Sequence, residues 1–199
     1  DPVFLTKENP FERFRIGAGP GSYSKDPAKM KLLPGSQFPA EGYDNFMKQG
    51  VPRWTSTDAP TIAAYTELVD KVCPCIVLAH SQGGPFAYRV AQARPDKVKA
   101  LVLVEPAGTG DTDKAAALKA IPNVSIYGDF IAQDARWPTI KANNLKFHDA
   151  IRAAGGKPEV IDLPAIGIQG NSHMIMMDKN NLEVAAVIQK WLVGQGLVR

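Results

Sequence analysis

The sequence predicts an α/β fold, in which a parallel sheet is flanked by helices on both faces. Two observations support this prediction. From residue 61 onward, short apolar runs alternate with stretches whose apolar residues recur at helical spacing. The apolar runs are continuous, which is typical of strands that are buried on both faces of a parallel sheet.

The predicted elements follow one another at short intervals. Helices are expected over residues 61–72, 84–93, 138–154 and 181–193, with a short helix over 113–120. Strands are expected over residues 75–79, 98–104, 123–127 and 159–163.

Residues 1–60 have a different pattern. Gly and Pro recur at short intervals, as in Gly17-Ala18-Gly19-Pro20-Gly21, and no regular apolar run appears. We therefore expect residues 1–60 to form a cap or lid of loops and short helices, and residues 61–199 to form the α/β domain. The aromatic residues of the first segment either line a pocket or form a small core of their own: Phe11, Phe14, Tyr23, Phe38, Tyr43, Phe46 and Trp54.

Composition excludes several classes of function. The chain has 199 residues, of which 45% are hydrophobic, and its formal net charge is +3 without a dense run of Lys and Arg. This argues against nucleic acid and membrane surfaces as partners. No apolar stretch approaches the roughly 20 residues that cross a bilayer. The start of the chain does not resemble a signal peptide, so we expect any such segment to be already removed.

No cofactor or metal is expected. The three histidines are widely spaced, and the sequence contains no Gly-rich phosphate loop. Cys73 and Cys75 flank Pro74, and a bridge between them would strain the backbone while closing almost no loop. We expect two small buried apolar residues at the start of a strand. A bond from either cysteine to a partner segment is the alternative.

The segment around Ser81 predicts a nucleophile elbow. Ser81 lies in Ala79-His80-Ser81-Gln82-Gly83, directly after a predicted strand and before a predicted helix. An elbow requires small residues two positions before and after the nucleophile, and Ala79 and Gly83 meet this requirement. The backbone amide of Gln82, at the start of the helix, can stabilise a developing oxyanion.

The elbow suggests an α/β-hydrolase fold, which changes how the four strands are interpreted. In that fold the serine strand is the fifth of eight, so the predicted strands correspond to strands five to eight. Strands one to four, and the loop that supplies the second oxyanion donor, are absent. We expect this chain to be the C-terminal part of a larger enzyme, with a second polypeptide segment supplying the N-terminal half of the sheet.

A serine nucleophile needs a base and a carboxylate that orients the base. His173 lies in a polar loop between the last predicted strand and the last helix, where hydrolases of this fold place the base. His148 is mid-helix, where we expect a surface or half-buried histidine, and His80 is assigned a packing or hydrogen-bonding role. Two positions compete for the acid: Asp129, with Asp134 in the same loop, and Glu105, which ends an otherwise apolar strand.

A family resemblance favours one of these acids. Ile168-Gln169-Gly170-Asn171-Ser172-His173-Met174, together with Leu78-Ala79-His80-Ser81-Gln82 and Val104-Glu105-Pro106, resembles a small branch of bacterial esterases, and the similarity covers most of the chain from about residue 60. In that branch the acid is a glutamate after strand six. The resemblance implies Ser81 as nucleophile, His173 as base and Glu105 as acid, with the Gln82 amide in the oxyanion hole. It leaves Asp129 as a structural loop carboxylate, and the chain lacks the branch's His-Gly-Cys-Cys loop.

The sequence therefore predicts a serine hydrolase that cleaves small carboxylic esters through an acyl-enzyme. An amidase, a lyase or a cofactor-free haloperoxidase on the same fold are alternatives, and a noncatalytic binding module is the alternative from another class. We expect a secreted or periplasmic protein, although the acceptor-like triplet Asn123-Val124-Ser125 begins a predicted strand. The sequence leaves a homo-oligomer open.

Overall fold

The computed structural model describes residues 2–199, which divide into two compact units. The first unit contains residues up to 56, 128–134 and 163–187. The second contains residues 57–127, 135–162 and 188–199. Six α-helices are present in the described residues: α1 Glu8–Arg13, α2 Tyr43–Met47, α3 Asp58–Val72, α4 Gly83–Ala93, α5 Trp137–Ala153 and α6 Asn181–Gly194.

The second unit holds a four-stranded parallel sheet in which the strands follow their order in the chain. The strands are β1 Cys75–His80, β2 Val98–Val104, β3 Asn123–Tyr127 and β4 Glu159–Asp162. The parallel sheet, whose strands alternate with helices, confirms the predicted α/β class. All four predicted strands are also confirmed, and each begins and ends within one residue of its predicted boundary. The expected short helix over 113–120 is a 3-10 helix over Thr112–Leu118.

The core of the second unit forms where α3, α4 and α5 meet the sheet. Leu101 and Leu103 of β2 are fully buried in it, as are Tyr88 of α4 and Ile151 of α5. Val77 and Ala79 of β1 pack against the same cluster. The continuous apolar composition of β2 follows from this burial, since six of its seven residues are buried.

β1 lies at an edge of the sheet, with β2 as its hydrogen-bonded neighbour. Leu78 in the middle of this strand is 59% exposed. Beside it runs a groove of about 510 Å³ whose lining includes Tyr65, Leu68 and Val72 of α3, and these three apolar side chains are also exposed. The result is an apolar edge of the kind that soluble proteins normally cover.

The expectation for the cysteines was wrong. Cys73 and Cys75 are bonded to each other as a disulfide, and neither residue is fully buried. The chain between the end of α3 and the start of β1 brings their Cα atoms to 4.5 Å, inside the range that a disulfide accepts. Both residues line the groove beside β1.

The first unit contains most of the N-terminal segment, which consists of loops and short helices as expected. Its aromatic residues form a core of their own, with Phe11, Phe38 and Tyr43 fully buried. Phe14 and Phe46 pack against this cluster. These contacts favour a local core for six of the seven aromatics left open, while Trp54 is 56% exposed and is not part of the cluster.

A buried polar network links α4, β3 and α5 in the second unit. His148 is fully buried, whereas the sequence predicted a surface or half-buried histidine. Its Nε2 atom lies 3.0 Å from the Tyr88 hydroxyl and 3.2 Å from the Ser125 hydroxyl. Asn144 accepts hydrogen bonds from Ser125 and Tyr127 through its Oδ1 atom. A position in the middle of a helix does not indicate whether the residue faces the core or the solvent. The sequence alone therefore could not predict this burial.

Asn123, the first residue of the acceptor-like triplet, is 1% exposed and therefore inaccessible to a glycosylating enzyme in the folded chain. None of the helices in residues 2–199 combines the length and the apolar character that a bilayer crossing requires.

Candidate active site

Ser81 lies at the junction of β1 and α4 in a left-handed backbone conformation, with φ of 52°. Positive φ is uncommon for residues other than glycine, and it persists only where the surrounding structure holds it. The Ser81 N–H donates to the Val104 carbonyl at 3.1 Å, and its carbonyl accepts from Gly84 at 3.0 Å and Ala107 at 2.9 Å. The turn is thus held from both sides.

Small residues make this turn possible, as the motif requires. A Cβ atom built on Gly83 would lie 3.5 Å from the Ala79 Cβ, so the two positions face each other in contact. At Gly84 a Cβ would lie 2.6 Å from the Cβ of Pro106, a distance that side chains do not reach. Gly84 therefore allows α4 to approach the loop after β2 closely.

Gln82 is the residue that precedes α4, and its amide belongs to the N-terminal end of that helix. The first N–H groups of a helix have no partner within it, and the helix dipole makes this end positive. No acidic residue occurs in the first turn of α4 to reduce that field. An anion forming beside Ser81 would meet this favourable end.

The pairing register of β1 and β2 places Glu105 beside Ser81. His80 of β1 pairs with Val104 of β2, so Ser81 and Glu105 each follow the paired residues at the same end of neighbouring parallel strands. Glu105 is fully buried and also has a positive φ, 45°. Its N–H donates to the Ile126 carbonyl at 2.8 Å. The second unit thus brings Ser81, Gln82 and Glu105 together at one end of the sheet.

His173 belongs to the first unit, in the loop before α6, and is 2% exposed. Its backbone N–H donates to the Phe14 carbonyl at 2.8 Å. The ring of Phe14 lies beside the imidazole, with 5.3 Å between ring centroids.

A polar network holds the loop that carries His173. The Asp178 carboxylate accepts from the Ser172 hydroxyl at 2.7 Å, from the Ser172 N–H at 2.8 Å and from the Asn171 amide at 3.1 Å. Asn171 also donates to Asn180 at 2.7 Å. These contacts explain the polar composition of the loop, and they fix its backbone on either side of the histidine.

Asp129 lies in the first unit, and both of its carboxylate oxygens accept hydrogen bonds from backbone amides. Phe130 donates to one oxygen at 2.7 Å, and Gly170 donates to the other at 2.9 Å. The Asp129 N–H in turn donates to the Asn171 carbonyl at 2.9 Å. This is the bonding of a carboxylate that ties two loops together.

Burial lowers the pKa of His148 to about 4, assisted by the positive charge of Arg152. The imidazole is therefore neutral near pH 7, and it is engaged in the network of α4, β3 and α5 described above.

Within residues 2–199, no cluster of His, Cys, Asp and Glu could hold a metal ion.

Two features, one in each unit, had no signal in the sequence. One is the left-handed backbone of Glu105, since glutamate does not favour that conformation. The other is the buried Arg15, whose side-chain Nε donates to the Asp129 carbonyl at 2.8 Å. An arginine in a Gly-rich segment ordinarily indicates an exposed charge.

Comparison with known proteins identifies relatives among ester hydrolases. A bacterial esterase of solved structure matches this chain with a TM-score of 0.84 and 33% sequence identity. The match covers all of this chain and 60% of the esterase chain. The fungal protein named Probable secreted lipase phiG is 30% identical over 179 residues. This alignment covers 66% of the present chain and 49% of the lipase, so the chain spans about half the length of that relative. No protein-family model matches the sequence.

The strand order, the elbow and these similarities agree. The chain is an α/β-hydrolase by fold, and it is homologous to an esterase and a lipase.

Proposed function

We propose that this chain carries the catalytic residues of a serine hydrolase that cleaves carboxylic esters. The observation that carries the proposal is the left-handed Ser81 at the junction of β1 and α4. A nucleophile elbow requires a serine in a strained backbone conformation directly before the N-terminus of a helix, and Ser81 has this position. The esterase and the lipase to which the chain is similar support an ester as the substrate.

In the proposed mechanism, the Ser81 hydroxyl oxygen attacks the ester carbonyl while the His173 imidazole removes the hydroxyl proton. The carbonyl oxygen becomes an oxyanion, which the Gln82 N–H stabilises. The intermediate collapses to an acyl-enzyme, and the imidazolium returns the proton to the leaving alcohol. Water then attacks the acyl carbonyl with His173 again acting as base. The bond between the acyl carbon and the Ser81 Oγ breaks, the carboxylic acid leaves, and the imidazolium returns the proton to Ser81.

Glu105 is proposed to orient the imidazole through its Nδ1–H and to stabilise the imidazolium. A fully buried carboxylate is expensive unless a charged or hydrogen-bonding partner compensates it, and the imidazolium of the intermediate is such a partner. Asp129 is assigned to loop structure, because its two oxygens are already engaged by backbone amides.

The second oxyanion donor is proposed to come from another polypeptide segment that pairs with the outer edge of β1, the edge strand of the sheet. The exposed Leu78 and the apolar groove beside it support this idea, since an open apolar edge favours aggregation. By analogy with the secreted lipase, we propose that the protein acts outside the cytoplasm on a small-molecule ester.

The test is covalent labelling of the natural protein with a fluorophosphonate probe, followed by identification of the modified peptide. We expect the label on Ser81, and we expect Ser81→Ala to lose both labelling and hydrolysis of a nitrophenyl ester by several orders of magnitude. Ser56→Ala removes an exposed serine and serves as the control. A label on a different serine, or equal turnover in the two variants, would refute the proposal. Full labelling with turnover of amides, cyanohydrins or peroxide in place of esters would support one of the alternative chemistries.

A further inference from the structure

The end of α1 supports the loop that carries His173. The last carbonyl groups of a helix have no partner within the helix. The Phe14 carbonyl, directly after α1, accepts a hydrogen bond from the His173 N–H at 2.8 Å. The backbone of His173 is thereby attached to a helix terminus that lies more than 150 positions earlier in the chain.

The Phe14 side chain contacts the same histidine. Its ring lies 5.3 Å from the imidazole, with 47° between the ring planes. The Phe14 ring also lies 6.2 Å from the ring of Phe46 and packs against the buried aromatic cluster. The imidazole therefore rests on a side chain that is itself held by a core.

A second connection runs from the next residue. Arg15 has a left-handed backbone, with φ of 53°, and its buried side chain donates to the Asp129 carbonyl at 2.8 Å. The Asp129 carboxylate accepts from the Gly170 N–H at 2.9 Å, three residues before His173. The contacts of Phe14 and Arg15 thus close a circuit of hydrogen bonds around the loop. A Cβ on Gly170 would lie 2.0 Å from the Gly35 carbonyl oxygen, so the loop passes this segment at a distance that only glycine allows.

We propose that Phe14 is a positioning residue for His173. This inference rests on the proposed function, in which His173 is the base. The Phe14 carbonyl sets the backbone of the histidine, and the Phe14 ring restricts the rotation of the imidazole. A base held near its productive orientation reacts without first losing rotational freedom. The N-terminal segment then has a role in supporting the base in addition to any covering role.

The test compares Phe14→Leu with Phe46→Leu in the natural protein. Both phenylalanines are half-buried members of one aromatic cluster, and the ring of Phe14 is the one that lies beside the imidazole, 5.3 Å from it. We expect Phe14→Leu to lower kcat by about tenfold with KM nearly unchanged, since a misplaced base impairs chemistry more than binding. Phe46→Leu should retain kcat within about twofold of the unmodified protein. Phe14→Tyr should also have a kcat near that of the unmodified protein, since tyrosine keeps the aromatic ring. Equal kcat values in the two leucine variants would overturn the proposal.

A second measurement does not depend on activity. Histidine labelled with ¹³C at Cε1 is followed by NMR in a Ser81→Ala background. Phe14→Leu should shift and broaden the His173 signal, whereas Phe46→Leu should leave it in place. An unchanged His173 signal in Phe14→Leu would also overturn the proposal. If the unmodified protein hydrolyses no ester, the proposed function fails while this spectrum still decides whether Phe14 positions His173.

Discussion

The buried His148 predicts a specific dependence of stability on pH. Burial in the network of α4, β3 and α5 lowers the pKa of this imidazole from its ordinary value of 6.5 to about 4. Arg152 adds to the decrease and Asp149 opposes it. In the unfolded chain the imidazole recovers the ordinary pKa, so the unfolded state binds a proton at a higher pH than the folded state does.

The sign and the size follow from proton linkage. Above pH 6.5 the imidazole is neutral in both states, and the folded state has its full stability. As the pH falls through 6.5, the unfolded state gains a proton that the folded state does not, so the free energy of unfolding decreases. The decrease is complete once the pH is below about 4. The difference between the two pKa values corresponds to a loss of about 3 kcal/mol.

The assay is urea-induced unfolding of the natural protein at a series of pH values between 4 and 8, for the unmodified protein and for His148→Gln. Glutamine can donate a hydrogen bond toward Tyr88 and Ser125 but does not titrate. Other groups titrate equally in both proteins, so the difference between the two curves isolates the histidine. We expect the unmodified protein to lose about 3 kcal/mol more than His148→Gln across this range. Two parallel curves would refute the assignment of His148 as a buried neutral imidazole.

Two further predictions concern the proposed acid and the edge strand of the sheet. Glu105→Gln should lower kcat by on the order of 10³-fold or more, because an amide cannot stabilise the imidazolium, while Asp129→Asn should cost roughly 1 to 2 kcal/mol of stability and less than about tenfold in kcat. Ester kinetics and unfolding of both variants measure this, and a larger kcat loss at Asp129 would move the acid to that position. Residues 1–199 expressed alone should be insoluble or inactive, because the apolar edge of β1 favours aggregation. A soluble, monomeric and fully active product would show that no further segment is needed there.

Local patterns in the sequence predicted the sheet of the second unit well. Each strand is a short continuous apolar run, and a strand buried on both faces leaves that pattern whatever its neighbours are. The elbow is similarly local, since the small residues and the turn lie within five positions of Ser81. Strand boundaries and the tight turn at Ser81 could therefore be predicted from the sequence with little knowledge of the tertiary structure.

Features that depend on residues distant in the chain could not be predicted in this way. Burial of His148 depends on Tyr88 and Ser125, which lie 60 and 23 positions away. Likewise, the backbone amide that engages Asp129 belongs to Gly170, 41 positions further along the chain.

The sequence by itself thus determined the α/β class, the order of the elements and the strained serine, because these depend on short-range periodicity and on steric limits within one turn. Only the tertiary structure decided that Cys73 and Cys75 are bonded, that six N-terminal aromatics belong to one core cluster, and that Phe14 contacts His173. The disulfide depends on the backbone path between the end of α3 and the start of β1, whereas the other two outcomes depend on contacts between segments that are far apart in the chain. Composition can indicate that a residue will be buried, but the identity of its neighbour is set by packing among elements that the local pattern does not relate to one another.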